Sequence, residues 1–180
     1  MIACLAEKWV SDFRYRWSRV RHKNSPITTS LRGDLIPENF KDIQRTAQEL
    51  YKRFEYTLDD VTRLYDSIDT PASCWERAFT GKLKDDCDGF HSALYWAVSQ
   101  NFNCYLLTLV TQDIVSSHSL LVISHGGKLH FVDYTYVSNG YERMESLIAA
   151  VVKYRKMQNV IIAEGSDFDG SWYSYFTKRL

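Results

Sequence analysis

Ser124-His125-Gly126-Gly127-Lys128 separates two apolar runs, His118 to Ser124 and Leu129 to Thr135. A short Gly-rich loop between strand-like runs closes a β-hairpin, so this part of the chain is committed to an antiparallel sheet. Cys104 to Thr111 reads as a preceding strand and Val160 to Ala163 as a following one, with a helix over Met144 to Lys156 between them. Upstream the periodicity is different. Phe40, Ile43, Ala47, Leu50 and Phe54 recur at the three- and four-residue spacing of one buried helix face, within a helix from Glu38 to Phe54. Cys87 to Val98 carries the same signal at Phe90, Ala93, Leu94, Ala97 and Val98. Helices first and an antiparallel sheet after make an α+β fold.

Further helices are expected at Glu7–Arg21, from the Thr57-Leu58-Asp59-Asp60 cap through about Tyr65, and over Ala72–Phe79 after the break at Asp69-Thr70-Pro71. Lys82 to Asp86 reads as a charged loop approaching Cys87. At 180 residues, the chain has the length of one domain. It divides into a basic helical extension at 1–36, a core at 37–165 and an acidic, Gly-containing tail at 166–180.

Lys plus Arg equals Asp plus Glu at 22 each, so net charge selects no nucleic-acid or acidic partner. The basic residues crowd one end, where Arg14, Arg16, Arg19, Arg21, His22 and Lys23 interleave with Phe13, Tyr15 and Trp17. A solvated helix face explains that cluster more simply than an RNA or lipid surface. No apolar run approaches the ~20 residues needed to cross a bilayer. Cys4, Cys74, Cys87 and Cys104 show no disulfide or CxxC rhythm, which fits a reducing, cytoplasmic setting.

Chemistry concentrates at Asp86-Cys87-Asp88-Gly89-Phe90-His91, followed by His118 and then Asp133. A thiol becomes a strong nucleophile on losing its proton, an imidazole can accept that proton, and a carboxylate on the far ring nitrogen fixes the tautomer. Cys87 opens a helix, where backbone amides and the helix dipole favour negative charge and offer an oxyanion donor. His118 opens one hairpin strand and Asp133 lies in its partner. Pairing Leu121 or Val122 near Leu129–Phe131 brings the two within reach.

In that order and setting the chain resembles the transglutaminase-like superfamily, especially its bacterial cysteine peptidases. The matching pieces are Asp86-Cys87-Asp88, His118-Ser119-Leu120-Leu121-Val122 and Phe131-Val132-Asp133, with Asp69-Thr70-Pro71 and Trp75-Glu76 as the lead-in. The resemblance, over roughly residues 40–137, implies a papain-like core with the cysteine helix packed on an antiparallel sheet. It also implies that Cys87 is nucleophile, His118 base and then acid, and Asp133 orienter. Asp85 stands where the family has Gly, placing carboxylates at 85, 86 and 88 around the thiol, and these raise its pKa. No upstream glutamine stands out as an oxyanion donor, so backbone amides or Trp75 are considered, with Asp86, Asp88 and His91 as neighbours of the substrate.

The function expected is a cysteine-dependent peptidase or amidase acting on a peptide or protein through a thioester, with no cofactor. Two alternatives stand beside it: a transglutaminase-type acyltransferase, and a catalytically silent binding module on the same fold. Cys87 and His91 with His118 or His130 are a weaker zinc alternative, lacking short paired-ligand spacing. Asp167, Asp169 and Gly170 fail the spacing of a calcium loop. Tyr134, Tyr136, Tyr141, Trp172, Tyr173, Tyr175 and Phe176 form an aromatic population that either packs or lines a peptide cleft.

Overall fold

The computed structural model describes residues 31–57, 70–112, 116–168 and 172–177. The helix expected at Glu7–Arg21 with its basic cluster, most of the helix expected after Thr57, and Asp169-Gly170 lie outside the described residues.

The architecture is α+β. A turn of 3-10 helix at Gly33–Leu35 leads to α1 (Asp42–Tyr51), β1 (Phe54–Tyr56), α2 (Pro71–Thr80), β2 (Leu83–Asp85) and α3 (Cys87–Val98). There follow β3 (Asn103–Thr111), β4 (His118–His125), β5 (Lys128–Asp133), β6 (Tyr136–Val137), α4 (Met144–Arg155), β7 (Val160–Ser166) and β8 (Trp172–Thr177). Strands β3 to β8 form one sheet in the order β6-β5-β4-β3-β7-β8, antiparallel throughout. Among the described residues no helix is long and apolar enough to cross a membrane.

Strand alternation gives the sheet two apolar faces. Leu121, Ile123 and Val132 pack against the helices α1, α2 and α3, with Phe90, Leu94 and Trp75 in the same cluster. Leu120, Val122 and Phe131 turn to the other side, where Leu147, Ile148 and Val151 of α4 cover them. Helix α3 is therefore the buried helix its composition predicts, with nine of its residues buried.

The local signals explain where elements begin. The Thr70 hydroxyl caps α2 by accepting from the Ser73 N–H at 3.3 Å, and Pro71 takes the first helical position. The Asp86 carboxylate caps α3 by accepting from the Asp88 N–H at 2.9 Å.

Three expectations need correction. Helix α1 is shorter than Glu38–Phe54: Phe40 precedes it and Phe54 belongs to β1. The approach to Cys87 is a strand, because Leu83 is fully buried and β2 runs parallel to β1 with Phe54 opposite Leu83 and Tyr56 opposite Asp85. Lys82 and Lys84 add ion pairs to Glu55 across that ribbon. The C-terminal tail is also a strand. Residues 172–177, rich in aromatic β-formers, pair with β7 as the sheet's outer strand β8.

Candidate active site

The β4–β5 hairpin sets the site. Val122 pairs with Phe131, inside the range expected from the loop, and Leu121 pairs with Val132, one residue beyond it. Continuing that register puts Asp133 opposite Leu120, so His118 lies two residues along on the same face. The His118 Nε2 meets Asp133 Oδ1 at 3.0 Å. An ionised carboxylate only accepts, so Nε2 carries the proton and the lone pair sits on Nδ1.

Cys87 comes to this point from α3. Strand β5 ends opposite Leu120, so the N–H of Ser119 is not spent on it and donates to Cys87 Sγ at 3.4 Å. Cys87 and His118 line one cleft of about 430 Å³ together with Tyr51, Phe54, Tyr56, Ser117, Tyr134 and Arg155. The three residues singled out from sequence thus converge on one place.

Asp133 is buried and holds more than His118. Burial disfavours its charge, but hydrogen bonds from His118 and Arg155 outweigh that and keep its carboxyl well below the ordinary range. The Arg155 guanidinium reaches both oxygens, through Nε to Oδ2 and Nη2 to Oδ1. Burial alone would lower the Arg155 pKa; the hydrogen bonds to Asp133 reverse that and raise it. Arg155 ends α4, 22 residues after Asp133. Reasoning from sequence missed it, since nothing distinguishes it from the other basic residues of that helix end.

His91 lies beneath the site rather than in it. It is fully buried. Its Nε2 accepts from the Tyr134 N–H at 3.0 Å, which leaves Nδ1 to donate to the Cys87 carbonyl at 2.6 Å. Burial brings its pKa down to about 4, so the ring is neutral near pH 7. His91 therefore ties the first turn of α3 to Tyr134, which carries a left-handed backbone (φ 49°). Such a conformation costs a non-glycine residue about 1–3 kcal/mol, and the hydrogen bond to His91 helps to hold it. The expectation that His91 meets substrate is thereby corrected, as is its role as a zinc ligand: both ring nitrogens are engaged. His130 is engaged elsewhere, its Nδ1 at 3.1 Å from the Ser138 carbonyl and its ring against Phe40.

The carboxylates near the thiol divide. Asp85 turns away, bonded to Arg77 at 2.7 Å and accepting from the Asp86 N–H at 3.0 Å. Burial nevertheless pushes its pKa up to about 6. Its carboxyl group occupies the space beside Gly89, where an added Cβ would come within 2.1 Å of Cγ. Asp86 is the helix cap, and as a carboxylate it accepts and cannot donate to an oxyanion. Burial pushes the Cys87 thiol well up, and the charges of Asp86 and Asp88 push it further in the same direction; the Ser119 N–H opposes them. Cys87 thus rests as a thiol, and its deprotonation must be coupled to a proton acceptor.

Asp85, Asp86 and Asp88 are also the one group of three potential metal ligands gathered among the described residues. Trp75 is placed in the core. It is 1% exposed, its indole N–H donates to the Leu31 carbonyl at 3.1 Å, and its ring stacks on Trp96. That corrects its candidacy as an oxyanion donor. By position, the N–H groups of Cys87 and Gly89 at the start of α3 have no intrahelical partner.

No protein-family model matches the chain, and no curated protein matches it.

Proposed function

We propose that this protein is a cysteine-dependent amide-bond hydrolase, built on a papain-like, transglutaminase-like core and acting on a peptide or protein. The observation that carries the reading is the orientation of His118. With Nε2 held by Asp133 at 3.0 Å, Nδ1 is left as the base, on a ring that shares a cleft with Cys87.

The chemistry follows from those positions. His118 Nδ1 takes the thiol proton as Sγ bonds to the substrate's carbonyl carbon. The oxygen that becomes negative accepts from the Cys87 N–H at the start of α3. The C–N bond then breaks, the proton passes from Nδ1 to the leaving amine, and a thioester remains. Water attacks the thioester, giving its proton to Nδ1; the C–S bond breaks, and the proton returns to sulfur. Asp133 stays ionised throughout and steadies the transient imidazolium.

The elevated Cys87 pKa favours a second reading, a binding module that uses the same cleft without chemistry. N-acetyl amino-acid p-nitroanilides separate the possibilities. The hydrolase reading expects p-nitroaniline release that Cys87→Ala and His118→Ala both abolish. Release only in the presence of a primary amine points instead to acyl transfer. No release, with a thiol whose reactivity ignores His118, leaves the binding module.

A further inference from the structure

Two side chains adjacent in sequence both reach the site, which a regular strand does not allow, because successive residues of a strand point to opposite faces. Asp133 ends β5 and holds His118. Tyr134 then takes its left-handed backbone (φ 49°) and brings its ring to the same cleft. Conformations of this kind cluster at functional sites. The hydrogen bond from the Tyr134 N–H to His91, at 3.0 Å, keeps this one in place.

The ring lies against the nucleophile helix. Its centre is 5.0 Å from that of Phe90 and 5.2 Å from that of His91, both one turn after Cys87 on the same face of α3. The His118 ring, which comes from β4, is farther away at 6.2 Å. Tyr134 therefore borders the α3 side of the cleft, where the Cys87 N–H is offered, rather than the side where His118 must protonate the leaving amine. Of the three tyrosines lining the cleft, it is the one whose ring packs against His118 among the described residues.

Its hydroxyl is uncommitted. Among the described residues it makes no hydrogen bond, and Cys87 Sγ takes its hydrogen bond from the Ser119 N–H. Burial, and after it the charge of an ionised Cys87, raise the Tyr134 pKa, with Arg155 opposing them. The phenol thus keeps its proton and can donate in a hydrogen bond. Other side chains near Cys87 in sequence do not fill that role, since Trp75 donates to Leu31 and the Asp86 carboxylate only accepts.

We infer that the Tyr134 hydroxyl is a catalytic hydrogen-bond donor which, with the Cys87 N–H, binds the oxygen that becomes negative when Sγ adds to the substrate's carbonyl carbon. The inference rests on the hydrolase reading above and completes its oxyanion site. Removing one such donor from an enzyme costs about a hundred- to a thousandfold in rate.

The test sets p-nitrophenyl acetate against iodoacetamide on the full chain, with Cys87→Ala as the background for both. At the ester's carbonyl an oxyanion forms as the C–S bond is made; p-nitrophenolate then leaves, and the thiol proton passes to His118. Iodoacetamide loses iodide to the same sulfur with no oxyanion. Tyr134→Phe keeps the ring and removes only the hydroxyl. In that variant the ratio of Cys87-dependent p-nitrophenol release to Cys87 alkylation is expected to fall by at least about tenfold. A ratio equal to that of wild type overturns the inference alone, and if both rates drop together the phenol supports the thiol instead. No Cys87-dependent release from wild type, with alkylation that still needs His118, also overturns it, because thiol and base are then present without an oxyanion site. No release, together with alkylation indifferent to His118→Ala, overturns the hydrolase reading beneath it.

Discussion

Arg155 grips both carboxylate oxygens of Asp133, so the acid that orients His118 is itself balanced by a cation. The charge of Asp133 is shared between an imidazole and a guanidinium, and less of it is available to favour an imidazolium. Burial and the charges of Asp86 and Asp88 keep Cys87 as a thiol at rest.

Removing the guanidinium returns that charge to His118. Loss of a neighbouring cation favours the protonated forms of the groups around Asp133, and in Arg155→Met the midpoint of Cys87 alkylation against pH is expected to rise by about one unit, equivalent to ~1.4 kcal/mol. Arg155→Lys keeps the charge and restores part of the difference. The Met variant also loses about 2 kcal/mol of stability, less than a fully buried pair would cost, because Arg155 is 32% exposed. Slower alkylation at every pH with an unmoved midpoint would show that Arg155 is only a structural prop.

Gly89 leaves room for the Asp85 carboxyl group beside the first turn of α3. Gly89→Ala must displace that group from Arg77 and from the Asp86 N–H, so a loss of about 1–3 kcal/mol is expected, read as a lower denaturant midpoint. A variant as stable as wild type would mean that Asp85 moves aside at no cost.

Two buried groups bend the pH dependence of stability in opposite directions. The His91 pKa is about 4 in the fold against about 6.5 unfolded. Between those values the unfolded chain holds the extra proton, so His91 makes stability rise with pH. The Asp85 pKa is about 6 in the fold against about 3.9 unfolded. Here the folded chain holds the extra proton, and stability falls as pH rises through that window. Asp85→Asn removes the second effect and leaves that of His91. Its unfolding free energy should climb more steeply than that of wild type between pH 4 and 6, by up to about 1 kcal/mol per pH unit. Parallel curves in urea titrations at several pH values would contradict the assignment.

Trp75→Phe tests the placement of a residue close to Cys87 in sequence but pinned elsewhere by Leu31. It should cost about 1–2 kcal/mol through the lost hydrogen bond and lost volume. Cys87 alkylation should be unchanged, and a change would put Trp75 back at the site.

The meeting of Cys87, His118 and Asp133 was legible because each sits on a local signal: a capped helix start, the first residue of a strand and the end of its hairpin partner. The Gly126-Gly127 loop narrowed the register enough to bring His118 and Asp133 to one face. Arg155 was not legible, since its partner lies 22 residues away on another element and no periodicity links a helix end to a strand end. Strand β2 was hidden for a related reason: Lys82, Lys84 and Asp85 look like a charged loop until Leu83 is buried by pairing with β1. In the tail, acidic residues and Gly170 drew attention from the strand-forming run at 172–177. Trp75 misled by proximity along the chain, which says nothing of where an indole N–H finds its acceptor.

The most direct test of the central claim is the rate of iodoacetamide modification at Cys87, followed by mass spectrometry from pH 5 to 10 in wild type and in His118→Ala. If His118 is the base for this thiol, wild type reacts between pH 6 and 8 and the variant loses at least about tenfold of that rate. Superimposable profiles, with both thiols reacting only at high pH, would contradict it.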